Sequence, residues 1–280
     1  MLDPVRWLPL LPVAASVVAG GSAEADPGWR PRCARGATVR GIDVSKWQGD
    51  IDWDAVKAAG IEFAFIRVSD GAARPDPSFA RNWAEAGRVG IARGAYQYFR
   101  PLEDADEQAD LLLAAIGPPG PRDLPPVIDI EVSDGVEPRE MARRMDRWAR
   151  RVKKALGVRP VVYTSAKHWV ELLAGSRSFR RHLLWIAHYD SDCPNTPTAW
   201  RRWTIHQVSQ EAQVAGIAAP VDENRFHGSR RALARMSRRP TRSLLARYRR
   251  WQALAEADRL RREQAAATAD DTAQTADAAP

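Results

Sequence analysis

The chain has 280 residues, which fits one large domain of about 200 to 250 residues, typical of barrels, with tails at its ends. Its two cysteines and five histidines have no metal-ligand spacing, and no repeat or glycine-rich phosphate loop is visible, so we expect no metal site and no cofactor. The formal net charge of +7 is uneven, because residues 229–262 hold twelve arginines and two acids. The basicity therefore belongs to a C-terminal extension.

The N-terminal residues 1–25 are typical of a secretory signal peptide. Arg6 precedes an apolar run from Trp7 to Gly20, and Ala23-Glu24-Ala25 has the form of a cleavage site. Asp26 is then the expected start of a secreted or periplasmic protein. An uncleaved membrane anchor is the alternative, although the apolar run is short for a spanning helix.

Cys33 and Cys193 lie far apart in the sequence. Export would place them in an oxidising compartment, where a single disulfide is plausible. Two unpaired thiols are the alternative, because sequence spacing does not show whether the geometry permits a bond.

Apolar strand-like runs alternate with helix-like segments between Thr38 and Phe226, which predicts an α/β fold with a mainly parallel inner sheet. The helices fall between most of the strands. Strands are predicted near residues 38–44, 62–68, 91–99, 126–132, 159–164, 183–188 and 203–208.

Two of the predicted helices have recognisable ends. Residues 52–60 begin with acids that suit a helix N-terminus and stop at Gly60, which suits a C-terminal cap. A longer amphipathic helix is predicted from Glu137 to Leu156, before Gly157. We interpret its apolar positions at helical spacing as core packing and not as a cofactor site: Met141, Met145, Trp148 and Val152.

The pattern changes after His227. Residues 229–262 are predicted to form a basic amphipathic helical extension that Pro240 interrupts. Its apolar residues at helical spacing are Leu244, Leu245, Tyr248, Trp251, Leu254 and Ala255. Residues 263–280 are rich in Ala, Thr and Asp and are predicted to be disordered.

The stretch 126–135, PVIDIEVSDG, places two carboxylates inside an apolar strand. Side chains alternate along a strand, so Asp129 and Glu131 point to one face while the neighbouring Ile and Val residues point to the other. Because burying charge is costly, the two acids need partners or a solvated mouth. An exposed edge strand is the alternative explanation of this pattern.

Two further acids, Asp43 in RGIDVSKWQG and Asp222 in APVDENRF, are candidates for the same site. In a barrel of parallel strands the strand C-terminal ends form the mouth of the site, so all four acids are predicted to meet there. Clustered carboxylates are typical of glycoside hydrolysis, where one acid protonates the leaving oxygen and another carboxylate stabilises or traps the cationic centre. Glu131, with its longer side chain, is the predicted proton donor, and Asp129 is predicted to orient it.

Aromatic residues close to strand ends are candidate walls of a glycan groove, since sugar rings present apolar faces. Core packing is the alternative for each of them. The hydroxyls of Tyr96, Tyr163 and Tyr189 favour a polar cleft. The full set of candidate substrate-binding residues is Tyr96, Gln97, Tyr163, Trp185, Tyr189, Gln207 and Asn224.

From about Arg40 to Phe226 the chain resembles the glycoside hydrolase family 25 lysozymes, the Chalaropsis-type muramidases. Seven separated blocks occur in the family's order: GIDVSKWQGDIDW, FAFIRVSDG, DPSFARNWAEAGRVGIARGAYQYFRP, PPVIDIE, VVYTS, LWIAHY and VDENRF. The resemblance implies an irregular (β/α) TIM-like barrel over residues 38–228. It also implies hydrolysis, with retention, of the β-1,4 bond between N-acetylmuramic acid and N-acetylglucosamine.

The same resemblance assigns the acids. Glu131 matches the family's general acid/base, and Asp43, Asp129 and Asp222 match its other acidic positions. Whether a carboxylate or the substrate's own N-acetyl group acts as nucleophile stays open.

One departure from the family pattern is Gln97, where the family commonly has His after Gly-Ala-Tyr. Gln keeps hydrogen-bonding capacity but cannot take a positive charge. We therefore expect altered substrate contact or pH dependence and not inactivity, because all four acids are present.

Two functions fit these features. The first is an exported, monomeric peptidoglycan hydrolase, and the second is a cell-wall binding or assembly module whose barrel has little activity. The extension can attach to anionic wall polymers or a membrane surface, associate with nucleic acid, or simply fold over the barrel. Nucleic acid is not expected for an exported chain.

Overall fold

The computed structural model describes residues 27–237 and 241–277. The predicted signal peptide, residues 1–25, and Pro240 lie outside the described residues.

Eleven strands and seven α-helices are defined within these ranges. The strands are β1 Trp29–Pro31, β2 Thr38–Val44, β3 Phe63–Asp70, β4 Arg74–Pro75, β5 Ala92–Tyr98, β6 Val127–Asp129, β7 Val161–Ser165, β8 Leu183–Ala187, β9 Asn195–Pro197, β10 Ile205–Ala212 and β11 Val221–His227. The helices are α1 Trp53–Ala58, α2 Phe79–Arg88, α3 Ala105–Ile116, α4 Pro138–Leu156, α5 Ala166–Leu173, α6 Arg230–Met236 and α7 Arg242–Asp277.

Eight strands close into a barrel in the order β2, β3, β5, β6, β7, β8, β10 and β11, and β11 pairs again with β2. Successive pairs from β2 to β10 are parallel, whereas β11 is antiparallel to both neighbours. The predicted irregular (β/α) barrel is therefore confirmed. The sequence did not predict β11 as a strand, because four consecutive polar residues, 222–225, hide its alternation.

The core has two layers, one inside the barrel and one between the strands and the helices. Phe63 and Phe65 belong to the inner layer, while Ala64 and Ile66, on the other face of β3, pack with the helices. Gly41 leaves room for the ring of Phe63, and Gly94 leaves room for the ring of Phe65. A Cβ on Gly94, for example, would lie 2.2 Å from the ring of Phe65.

The two helices with recognisable ends form close to the predicted bounds. The side chain of Asp52 caps α1 by accepting a hydrogen bond from the backbone N–H of Ala55, 3.1 Å away. Helix α4 ends before Gly157, whose left-handed φ of 67° suits glycine. The four apolar residues assigned to packing in α4 are fully buried in the outer layer of the core.

The basic extension folds back onto the barrel as α6 and α7. Leu233 of α6 is buried in the inner core. In α7 the hydroxyl of Tyr248 donates to the carbonyl of Leu113 at 3.0 Å, and Nε1 of Trp251 donates to Oδ1 of Asp110 at 2.9 Å. The amphipathic pattern therefore describes a face that packs against α3 and α4.

The backbone of α7 runs on to Asp277, which differs from the disordered tail expected over residues 263–280. Alanine is the strongest helix former, and this segment is rich in it. No helix in the described ranges combines the length and the hydropathy needed to cross a membrane.

Cys33 and Cys193 form a disulfide, which decides the alternative that the sequence left open. The bond lies beside the two-stranded sheet in which β1 pairs with β9. It ties the N-terminal arm to the segment between β8 and β10, 160 residues away in the chain.

Replacing Trp251 with alanine is expected to lower the free energy of unfolding by about 3 kcal/mol, because a large buried ring and its hydrogen bond are lost. Leu254 lies on the same helix but is 42% exposed, so Leu254→Ala is a matched control expected to cost less than about 0.5 kcal/mol. Urea unfolding followed by circular dichroism measures both. Equal effects would contradict the docking of α7 through Trp251.

Candidate active site

A cavity of about 310 Å³ opens at the C-terminal ends of the parallel strands. This is the end of the barrel where loops can supply functional groups from many strands. All four predicted acids line the cavity: Asp43, Asp129, Glu131 and Asp222. Residues that lie nearly 180 positions apart in the chain therefore share one site.

Asp43 and Asp222 face each other across two neighbouring strands. Asp43 is the last but one residue of β2 and Asp222 is the second residue of β11, and the antiparallel register places them directly opposite. Oδ2 of Asp43 accepts hydrogen bonds from Nε2 of Gln207 at 2.9 Å and Nδ2 of Asn224 at 2.7 Å. Burial first, and then the charge of Asp222, nevertheless raise the pKa of Asp43 well above its ordinary value.

Asp129 and Glu131 form the second pair of acids. Asp129 is the last residue of β6 and is 4% exposed, whereas Glu131 lies in the following loop and is partly exposed. Burial, and then the charges of Glu131 and Asp43, raise the pKa of Asp129 well above its ordinary value. Burial also raises the pKa of Glu131, while His168 and the hydroxyl of Tyr163 act in the opposite direction.

The surroundings of Asp129 disfavour its ionised form. Oδ1 of Asp129 is buried and accepts no hydrogen bond from a donor among the described residues. Two ionised carboxylates can only accept hydrogen bonds, so hydrogen bonding between Asp129 and Glu131, which raises the pKa of Asp129, takes place only when one of the two is protonated. The site can therefore hold a carboxylic acid next to a carboxylate.

Neutral hydroxyls and amides connect the acids. Oε1 of Gln207 accepts hydrogen bonds from the hydroxyl of Tyr163 at 2.7 Å and that of Tyr189 at 3.2 Å, which turns Nε2 towards Asp43. Burial raises the pKa of Tyr189 to about 12, so its hydroxyl stays protonated. Tyr96, Tyr163, Tyr189 and Gln207, which the sequence proposed for substrate binding, all line the cavity.

Trp185 also lines the cavity but is almost completely buried in its floor. Its ring stacks on Phe65, with centroids 4.7 Å apart, and Nε1 donates to Oδ1 of Asn224 at 2.7 Å. Asn224 is itself fully buried. The assignment of Asn224 as a substrate contact is therefore corrected: it joins Trp185 to Asp43 below the surface of the cavity.

The assignment of Gln97 to substrate binding is corrected as well. Gln97 is fully buried on the face of β5 opposite to Tyr96, where it packs towards α4. Its Nε2 donates to Oγ of Ser69 at 2.9 Å, and its Oε1 accepts from Nε1 of Trp148 at 2.7 Å. The alternation of side chains along β5 was the sequence signal that could have excluded this residue.

Arg67 is the one cation among the residues that line the described cavity, and the sequence did not single it out. Its Nε donates to Oδ2 of Asp76 at 2.9 Å, and its charge opposes the rise in the pKa of Asp129. The signal was a single base within the apolar block FAFIRVSDG. The other lining residues not singled out are Ser45, Trp47, Gln48 and Gln210.

Comparisons with known proteins agree on one family. The model of glycosyl hydrolases family 25 matches residues 42–217. The chain is 37% identical over 214 residues to the protein YegX of Escherichia coli strain K12, covering 72% of this chain and 76% of YegX. It is 35% identical over 202 residues to lysozyme M1 of Streptomyces globisporus, covering 68% of each chain.

A solved structure agrees with this result. The bacterial lysozyme from Streptomyces coelicolor aligns with a TM-score of 0.68 and 32% sequence identity, covering 72% of this chain and 98% of the lysozyme.

Proposed function

The chain belongs to glycosyl hydrolases family 25, and from this premise we propose that it is an exported muramidase that cleaves the β-1,4 bond between N-acetylmuramic acid and N-acetylglucosamine in peptidoglycan. The observation that carries the proposal is the convergence of four acids on one open cavity at the barrel mouth. Relatives described as lysozymes or N,O-diacetylmuramidases support the choice of substrate.

Glu131 is the proposed proton donor to the leaving oxygen. It is the more exposed member of the pair, and burial raises its pKa, which favours the protonated acid that donation to the leaving oxygen requires. After the bond breaks, the same carboxylate can accept a proton from the attacking water.

Asp129 is proposed to act in its ionised form once the proton has moved to Glu131. A buried anion at this position stabilises the positive charge that develops on the sugar ring. This role holds whether Asp129 attacks the ring or orients the N-acetyl group of the substrate. Asp43 and Asp222 are proposed to bind sugar hydroxyls, held in place by Gln207 and by the strand register.

Export is proposed from the signal-like segment at residues 1–25 and from the disulfide between Cys33 and Cys193. The N-terminal sequence of protein recovered from the culture medium or periplasm tests it, and we expect Asp26 as the first residue.

The function is tested by incubating the purified protein with peptidoglycan and measuring the release of reducing ends. Mass analysis of the muropeptides should show N-acetylmuramic acid at the new reducing ends. Binding to peptidoglycan without any release would instead favour the cell-wall binding or assembly module.

Replacing Arg67 with glutamine is expected to move the acidic limb of the profile of kcat/KM against pH to higher pH. Arg67 opposes the raised pKa of Asp129, so its loss raises that pKa further and delays formation of the ionised carboxylate. Arg67→Lys keeps the charge and is the matched control, expected to leave the limb near its original position. A limb that does not move in Arg67→Gln would exclude this electrostatic role.

A further inference from the structure

A second concave surface lies at the end of the barrel opposite the active site. It is a cleft of about 640 Å³ at the N-terminal ends of the strands. Leu183 lines this cleft, and Trp185, two residues further along β8, lines the catalytic cavity. A ligand in the cleft therefore leaves the catalytic mouth free.

The cleft is strongly cationic. Five cations and no acid occur among its described lining residues, and all five are exposed: Lys153, Arg159, Arg181, Arg202 and Arg235. None of them forms a salt bridge with any residue in the described ranges. By contrast, Arg147 pairs with Asp106 and Arg151 with Asp110 a few residues earlier in α4. Unpaired like charges around one hollow repel each other, and a bound polyanion would relieve that repulsion.

The positive field acts on a neighbouring histidine. Nδ1 of His182 lies 2.9 Å from the carbonyl oxygen of Pro160, at the same end of the barrel. Burial first, and then the charges of Arg159 and Lys153, lower the pKa of His182.

The C-terminal extension builds part of this surface. Arg235 comes from α6, which Leu233 anchors in the inner core. A groove of about 760 Å³ between α4 and α7 adds Lys154, Arg247 and Arg250, while the acid in its described lining, Asp258, is paired with Arg151. Gly157 lines the cleft, and a Cβ placed on it would lie 3.5 Å from Nε of Arg247, which lines the groove. The cleft and the groove are therefore adjacent, and we name them together the cationic track.

The cationic residues that α6 and α7 contribute lie outside the family domain. Both α6 and α7 follow residue 217, where the match to the family model ends. The alignment with the Streptomyces coelicolor lysozyme uses 98% of that lysozyme but only 72% of this chain. The extension therefore adds Arg235, Arg247 and Arg250 to a surface whose other cations lie within the matched domain.

We propose that the cationic track binds a linear phosphodiester polymer without bases, such as a poly(alditol phosphate). A concave cleft admits a chain but not a membrane surface, and the aromatic residues of α7, Tyr248 and Trp251, are buried against the barrel and cannot insert into lipid. Single-stranded nucleic acid needs exposed aromatic rings for base stacking. Among the described residues, the strongly exposed aromatic side chains are Trp47 and Tyr189, which line the catalytic cavity instead.

The proposal is tested with fluorescently labelled poly(glycerol phosphate) of about 20 repeats, titrated with the full chain and followed by anisotropy. We expect saturable binding that weakens steeply as the salt concentration rises. The triple variant Arg159→Gln, Arg181→Gln and Arg202→Gln is expected to bind about tenfold more weakly or worse at low salt, because three phosphate contacts are lost.

The matched control is the triple variant Arg139→Gln, Arg143→Gln and Lys167→Gln. It removes the same charge from exposed positions in the first two turns of α4 and the first turn of α5, at the other end of the barrel. Its affinity for the polymer should stay within about twofold of the wild type, since long-range charge effects are screened. Equal losses in the two triple variants would overturn the proposal, because they would report net charge alone.

Two further probes test the kind of partner. The first probe is a vesicle of phosphatidylcholine and phosphatidylglycerol, and the second is a single-stranded DNA of equal charge. Tighter binding of either probe than of the polymer would overturn the choice of partner. Hydrolysis of short soluble peptidoglycan fragments should be unchanged in both triple variants. A failure of polymer binding is thereby distinguishable from a failure of the muramidase function.

Discussion

Glu131→Gln is expected to lower the rate of reducing-end release from peptidoglycan by about 10²- to 10⁴-fold, the usual contribution of a general acid. Glutamine keeps the size and one acceptor oxygen of the side chain but cannot transfer a proton to the leaving oxygen. Glu131 lines the cavity and is partly exposed, so the substitution should leave the fold intact. The loss should appear in kcat, with KM little changed.

Glu137→Gln is the matched control for this experiment. Glu137 is exposed at the N-terminus of α4, makes no capping hydrogen bond with its side chain and lies outside the cavity lining. Its activity should equal that of the wild type. Retention of more than about a tenth of the activity in Glu131→Gln would remove Glu131 from the role of general acid.

Asp129→Asn is expected to have two opposite effects. Activity should fall by about 10²- to 10³-fold, because the anion that faces the developing positive charge is lost. At the same time the melting temperature at pH 7 should rise. A neutral amide removes the cost of ionising a buried carboxyl that already faces Glu131 and Asp43.

The sign of the stability effect follows from the direction of the pKa shift. The pKa of Asp129 is raised in the folded chain above its ordinary value of 3.8, so the folded chain binds more protons than the unfolded chain above that pH. The contribution of Asp129 to stability is therefore largest in acid and is lost as the pH rises. Melting temperatures at pH 5 and pH 7 should differ less in Asp129→Asn than in the wild type. A variant that melts lower than the wild type at pH 7 would contradict this account.

Such an exchange of stability for activity is expected at a site that gathers like charges. Asp43, Asp129, Glu131 and Asp222 surround one cavity, while Arg67 is the one cation in its described lining and is held by Asp76. The fold tolerates the acids because two amides donate to Asp43 and because the raised pKa of Asp129 favours its protonated form. A bound cationic transition state would offset the electrostatic cost of gathering these acids around one cavity.

The sequence-based predictions that the structure supports rest on the alternation of side chains along strands and on the spacing of residues at helix ends. The pleat of β6 sets the side of Asp129, whereas Glu131 lines the same cavity from the loop that follows the strand, two residues beyond its end. The same rule, applied to β5, would have placed Gln97 behind Tyr96 and away from the cavity. Helix ends at Asp52 and Gly157 were readable for the same reason, since caps depend on neighbouring residues.

The sequence by itself determined the α/β class, the seven parallel strands and the acids worth examining, because side-chain periodicity is a local property of the backbone. Only the tertiary structure decided that Asp43 lies opposite Asp222, that Arg67 is the cation of the site, and that α7 packs on the barrel through Trp251. These features depend on how the barrel closes and which strand pairs with which. That choice is set by contacts between distant residues, which no single segment encodes.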